Sequence, residues 1–78
     1  MRHEIIIPHQ GFTTEYVTIS KVYVKTGDQV NEGMPVIEME SDKATMDVES
    51  TCNGKVVSVL KNEGDEANVG ETIIVVEE

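Results

Sequence analysis

Few residues in this 78-residue chain have chemistry within reach: one cysteine, two histidines, six basic and fifteen acidic side chains. Lys43 stands in the run Glu40-Ser41-Asp42-Lys43-Ala44-Thr45-Met46-Asp47-Val48, polar up to the lysine and apolar at alternate positions after it. An amine on a flexible four-carbon stem can serve as an attachment point if a rigid backbone presents it clear of other side chains. The plainer alternative is a solvated turn lysine, the usual state of an exposed lysine. Cys52 would be a nucleophile only with a base beside it, and His3 and His9 fall on or next to the first apolar cluster; Cys52 is therefore read as a strand-end or loop residue. The two histidines and the scattered carboxylates have no zinc-ligand spacing. Asp28-Gln29-Val30-Asn31-Glu32-Gly33 touches a calcium-loop pattern, but its third position is Val and no helical pattern flanks it.

A lysine does useful work only where the fold puts it, so the elements around it matter next. The apolar residues fall in short clusters, Ile5 to Ile7, Val17 to Val24, Val36 to Met39, Met46 to Val48, Val56 to Leu60 and Ile73 to Val76. These are rich in Val and Ile and separated by Gly, Asp and Asn, which predicts strands. No stretch of ten residues carries apolar positions at helical spacing, and the chain is read as all-β and as one domain, residues 1–78. A formal charge of -9 repels phosphate backbones and anionic membranes, which argues against nucleic acid or a membrane as partner. Ile5, Ile6 and Ile7 before Pro8 are too few for a signal peptide or a membrane span. A lone cysteine forms no internal disulfide, which suits a reducing compartment, a bacterial cytoplasm or a mitochondrial matrix.

The sequence repeats itself at a shift of 37. Val17 to Ser41 overlays Gly54 to Glu78, with Val22 on Val59, Gly27-Asp28 on Gly64-Asp65, Gly33 on Gly70, Ile37 on Ile74 and Glu40 on Glu77. Two copies of a Gly-Asp turn with matching strands on both sides predict two similar halves related by an approximate twofold, neither able to bury its apolar face alone. Ile19 and Val22 are three apart, as are Val56 and Val59, so a bulge or a sheet-switching bend is expected in both halves.

Lys43 lies between the halves in a hairpin whose register follows from alternation. Ile37 and Met39 inward make Glu38 and Glu40 outward; Ala44, Met46 and Val48 inward make Thr45, Asp47 and Glu49 outward. Pairing Met39 with Met46 and Ile37 with Val48 sets Ser41 opposite Ala44, leaving Asp42-Lys43 as a two-residue loop with Lys43 at the exposed tip. A type I turn with adjusted register is the alternative, and it keeps the lysine at the tip. The outward carboxylates read equally as a docking patch or as a solvated face.

The run around Lys43 resembles the lipoylation motif of the acyltransferase components of 2-oxo acid dehydrogenase complexes, where Asp-Lys-Ala follows an acidic residue and a Ser or Thr. Ile7-Pro8 with Gly11 is similar to that family's first strand and loop. Val24-Lys25-Thr26-Gly27-Asp28-Gln29-Val30 is similar to its Val-Lys-x-Gly-Asp-x-Val segment, and Gly54-Lys55-Val56, Gly64-Asp65 and Val69-Gly70 fall at its second set of turns. The resemblance to a lipoyl domain implies a flattened barrel or sandwich of two four-stranded antiparallel sheets. It also implies lipoic acid bound covalently as lipoamide on Lys43, with Asp42 and Ala44 as flanking recognition residues. Further implications are a non-catalytic swinging-arm carrier and four partners: a lipoylating enzyme, a thiamine-diphosphate-dependent 2-oxo acid decarboxylase, an acyltransferase domain and dihydrolipoamide dehydrogenase. Family analogy gives partner recognition to the loop of about His9 to Tyr16, with Phe12 and Tyr16 as packing anchors or partner contacts. Three alternatives stand beside this. A biotinyl carrier shares the fold but usually sets its lysine between two Met residues; the others are an unmodified lipoyl-like binding module and the longer carrier of the glycine-cleavage system.

Overall fold

A computed structural model of the chain describes residues 1–8, 16–41 and 44–78. These form eight strands and, among the described residues, no helix: β1 (Arg2–Ile6), β2 (Tyr16–Val22), β3 (Gln29–Val30), β4 (Pro35–Glu40), β5 (Thr45–Glu49), β6 (Gly54–Val59), β7 (Glu66–Asn68) and β8 (Thr72–Glu77). Six of them coincide with the apolar clusters. The two additional strands, β3 and β7, are two and three residues long, too short to carry an alternation that a sequence pattern could register. The chain makes two four-stranded sheets with antiparallel pairing throughout, β1-β8-β6-β3 and β5-β4-β2-β7.

The two strand orders map onto each other when β1 is exchanged with β5, β8 with β4, β6 with β2 and β3 with β7, the twofold that the repeat predicts. The agreement reaches single residues. Pairing of β2 with β4 slips at Ser20 and that of β6 with β8 at Val57; pairing of β4 with β5 slips at Val36 and that of β1 with β8 at Ile73. Each member of these two pairs of bulges lies 37 residues from its counterpart, and the first pair sits where the apolar phase breaks.

The halves interlock through their turns. Gly27 N–H donates to the Val56 carbonyl at 2.8 Å, and its counterpart Gly64 N–H donates to Ile19 O at 2.7 Å. The return bonds, Val56 N–H to Asp28 O and Ile19 N–H to Asp65 O, are both 2.8 Å. Inside each turn the aspartate accepts from the backbone three residues earlier, Asp28 from Lys25 at 2.9 Å and Asp65 from Asn62 at 2.8 Å. Gly27 and Gly64 hold φ of 99° and 91°, a conformation that side-chain-bearing residues resist, which is why the Gly-Asp pair recurs.

Between the sheets lies a continuous apolar core to which the twofold mates contribute alike, Ile37 and Ile74, Met39 and Val76, Ile19 and Val56, all at most 1% exposed. Each such side chain contributes about 1.5–3 kcal/mol relative to leaving it in water. At the chain ends Glu78 N–H donates to Met1 O at 2.9 Å, the twofold counterpart of the bond from Ser41 N–H to Ala44 O, also 2.9 Å.

Gly54 is the point where the repeat drops a side chain, since its counterpart is the buried Val17. A Cβ there would sit 2.8 Å from Val76 Cγ1 and would overlap the Glu77 carbonyl oxygen, so the backbones of β6 and β8 approach as they do only because this position is bare. Gly54→Ala is expected to cost about 2 kcal/mol and lower the melting temperature by roughly 10 °C in thermal unfolding followed by circular dichroism.

Candidate functional site

The β4–β5 hairpin carries the register derived from alternation: Ile37 pairs with Val48, Glu38 with Asp47, Met39 with Met46 and Glu40 with Thr45. Ser41 and Ala44 close it through two bonds to one acceptor, with Ser41 N–H 2.9 Å and Ser41 Oγ 3.2 Å from the Ala44 carbonyl oxygen. Asp42 and Lys43, the residues between them in sequence, lie outside the described residues. Their two-residue spacing and the Ser41–Ala44 closure match the hairpin that alternation predicts.

One expectation about this hairpin is corrected. Alternation predicts Ala44 inward with Met46 and Val48, but burial declines toward the hairpin end, with Val48 buried, Met46 half-buried and Ala44 exposed. The cause is position along the hairpin, since Val48 on the same strand is only 4% exposed. β5 is an edge strand with a neighbour on one side only, whereas β4, flanked by β2 and β5, keeps Met39 at 0% exposure. The end of the hairpin therefore projects past the core, with Glu40, Ala44 and Thr45 all exposed.

The outward face of this sheet carries a polar network that the sequence did not flag. Tyr23, which follows β2, places its hydroxyl 3.1 Å from Asp47 Oδ1 on β5 and 3.4 Å from Glu38 Oε2 on β4, so one proton is shared between two carboxylates. Ser20 Oγ donates to Glu38 Oε1 at 2.9 Å from the bulge that turns it outward. Glu38 and Asp47 stand directly opposite in register, a like-charge pair that would cost stability unbridged. The only sequence signal for this arrangement is the repeat, in which Ser20, Tyr23 and Glu38 replace the apolar Val57, Leu60 and Val75.

The other singled-out residues do not gather at the Ser41–Ala44 closure. Cys52 is a buried free thiol after β5. Ser50 Oγ donates to the Cys52 carbonyl at 2.6 Å and accepts from Cys52 N–H at 3.3 Å, a closed local turn. His3 Nε2 is 2.7 Å from Glu78 Oε1 at the chain ends, paired there and not with Cys52. His9 and Phe12, with the rest of residues 9–15, lie outside the described residues, while Tyr16 opens β2 with its side chain exposed. A groove between edge strands β1 and β5 is lined by Ile6, Pro8, Met46, Val48, Ser50 and acidic side chains.

The Tyr23 hydroxyl is pushed from 10.0 up to about 12, first by desolvation against the sheet, then by its bond to Asp47 and by the charges of Asp47 and Glu38. The folded chain thus holds this proton more tightly than the unfolded one does. Any stability it adds is complete below pH 10 and is lost as the pH rises toward about 12. With Tyr16 replaced by Phe so that Tyr23 alone reports, an ultraviolet tyrosinate titration is expected to show a midpoint near 12, and a midpoint at the ordinary value would deny the bridge.

Comparison with known proteins places this geometry. The biotin/lipoyl family model, described as biotin-requiring enzyme, matches residues 3–76. A dihydrolipoyllysine-residue succinyltransferase component of the 2-oxoglutarate dehydrogenase complex from Rickettsia conorii is 40% identical over 73 residues, 94% of this chain and 18% of that protein. The chain therefore spans under a fifth of the length of that relative. A lipoyl domain of the 2-oxoglutarate dehydrogenase complex from Azotobacter vinelandii, solved in solution, superposes with a TM-score of 0.76 at 27% identity, over 96% of this chain and 95% of that one. A segment of the urea carboxylase from Kluyveromyces lactis superposes with a TM-score of 0.82 at 26% identity, over 99% of this chain and 6% of that one. The two-sheet fold, the internal twofold and a family match over nearly the whole chain agree: the chain belongs to the biotin/lipoyl family and has the lipoyl-domain fold.

Proposed function

We propose that residues 1–78 form a single swinging-arm carrier domain in which Lys43 bears a lipoyl group and shuttles acyl groups and reducing equivalents between active sites of a 2-oxo acid dehydrogenase complex. The observation that carries this is the β4–β5 register, which brings Ser41 and Ala44 together across a connection just two residues long that contains Lys43. A covalently attached group needs an amine and free space around it. The exposed Glu40, Ala44 and Thr45 at the projecting hairpin end fit that need, and Asp42 and Ala44 beside the lysine distinguish the motif from the Met-flanked biotinyl one.

When bound, lipoamide supplies a cyclic disulfide that can take up an acyl group and two electrons. The chain supplies position. Paired strands and a buried Met39 fix the base of the arm, while the lysine stem and the attached chain give it reach. Tethering turns repeated bimolecular encounters into local ones at high effective concentration. The partners in this scheme are a lipoylating enzyme, a thiamine-diphosphate-dependent decarboxylase, an acyltransferase domain and dihydrolipoamide dehydrogenase, in a bacterial cytoplasm or a mitochondrial matrix. The buried free Cys52 supports a reducing compartment.

Intact-mass measurement and peptide mapping of protein made in cells with lipoate and biotin available test the proposal. A lipoyl increment on Lys43 is expected; a biotinyl increment would transfer the chain to the biotin carriers, and no increment with either purified ligase would reject a carrier role. Lys43→Arg is expected to abolish the increment and leave the melting temperature within about 2 °C, because arginine keeps the charge and length of the side chain.

A further inference from the structure

We infer that Ser41 is a positioning residue for modification of Lys43: its hydroxyl locks the mouth of the two-residue connection in the geometry a lipoate-attaching enzyme recognises. The inference rests on the carrier function proposed above and adds a residue to it.

The closure of this hairpin has a built-in control within the same molecule. Under the internal twofold, Ser41 corresponds to Glu78 and Ala44 to Met1, and both pairs make the backbone bond, Ser41 N–H to Ala44 O and Glu78 N–H to Met1 O, each at 2.9 Å. Beyond that the two ends differ. At the lysine hairpin the side chain of the donor residue adds a second bond to the same carbonyl, Ser41 Oγ to Ala44 O at 3.2 Å. At the chain ends the additional bond, from the Met1 ammonium to Glu78 O at 3.3 Å, runs in the opposite direction and uses a charged terminus. The hydroxyl bond is therefore not a by-product of how the repeat folds.

It is also placed where little else holds the backbone. Burial is lost along β5 before Ala44 is reached, so packing cannot fix the angle at which the connection leaves the strands. A second donor on the Ala44 carbonyl restrains the separation and twist of the two strand ends. Ser41 and Ala44 are then held in one relative orientation instead of several.

An enzyme that accepts only that orientation sees the correctly posed fraction of the hairpin. Loosening the mouth lowers this fraction and raises the apparent KM by the same factor, while kcat at saturation, set after a correct pose is bound, stays constant. Loss of one neutral hydrogen bond corresponds to about fivefold.

The test compares Ser41→Thr and Ser41→Val, nearly equal in shape and strand preference but with and without a hydroxyl, and adds Ser41→Ala as a smaller deletion. Purified domains are modified by a lipoate–protein ligase with lipoate and ATP, and the rates are read by intact mass. Circular dichroism melting checks that each variant is folded. Ser41→Val and Ser41→Ala are expected to raise the domain KM about fivefold with kcat unchanged, and Ser41→Thr to restore the unsubstituted value. Equal KM values for the Thr and Val variants, or a change confined to kcat, would overturn the role of the hydroxyl and leave the carrier function standing. Failure of the unsubstituted domain to be modified would overturn the carrier function and this inference together.

Discussion

Four backbone hydrogen bonds tie each half of the chain into the other, and the rest of the molecule depends on them. Gly27 and Asp28 bond to Val56, while Gly64 and Asp65 bond to Ile19. Because each turn is clasped by a strand from the opposite half, neither half can complete its backbone pairing alone. Ile19 and Val56, the residues that make these bonds, are also core residues exposed by at most 1%, so pairing and packing are fixed at the same points. The bulges at Ser20 and Val57 follow each of them directly, and each lets a strand leave the clasp for its place in the sheet.

Much of this was legible because the fold is written twice. A single Gly-Asp pair is an ordinary turn; two of them 37 residues apart with strands in phase state a symmetry, and the phase slips at Ile19–Val22 and Val56–Val59 state where the strands bend. The hairpin register was legible for a different reason. Ile37, Met39 and Val48 alternate against carboxylates, and a shift of one residue would bury Glu38 and Asp47 in their place. What escaped has equally physical causes. β3 and β7, two and three residues long, are too short to repeat an alternation of period two. The exposure of Ala44 depends on how far the hairpin runs beyond the core, a property of the assembled sheets. The Tyr23 bridge joins residues 15 and 24 positions apart that no local pattern brings together.

The departures from symmetry are as informative as the symmetry. On one sheet the outward positions hold Val57, Leu60 and Val75; on the other the counterparts are Ser20, Tyr23 and Glu38, with Asp47 alongside. The polar version belongs to the sheet that ends in the Lys43 hairpin. There Tyr23 reaches past β4 to the edge strand β5, a side-chain link to a strand that has a backbone neighbour on one side only. Two halves matched strand for strand thus carry different outer surfaces, and the polar one falls on the sheet that holds the Ser41–Ala44 closure.

The pairing of Met1 with Glu78 has a mechanical meaning. Contacts of Val30 with Gly54, Lys55 with Glu77 and Gly33 with Ser50 place the chain ends beside the Pro35–Glu49 end of the hairpin sheet, away from Ser41 and Ala44. Polypeptide joined at Met1 or Glu78 would grip the body at the far end from the Ser41–Ala44 closure. The rigid body, up to 33 Å in its longest extent, would then act as a boom between pivot and cargo. Each degree of rotation at such a pivot would be magnified at the hairpin, so the radius swept would be set by the length of the folded domain as well as by the lysine stem.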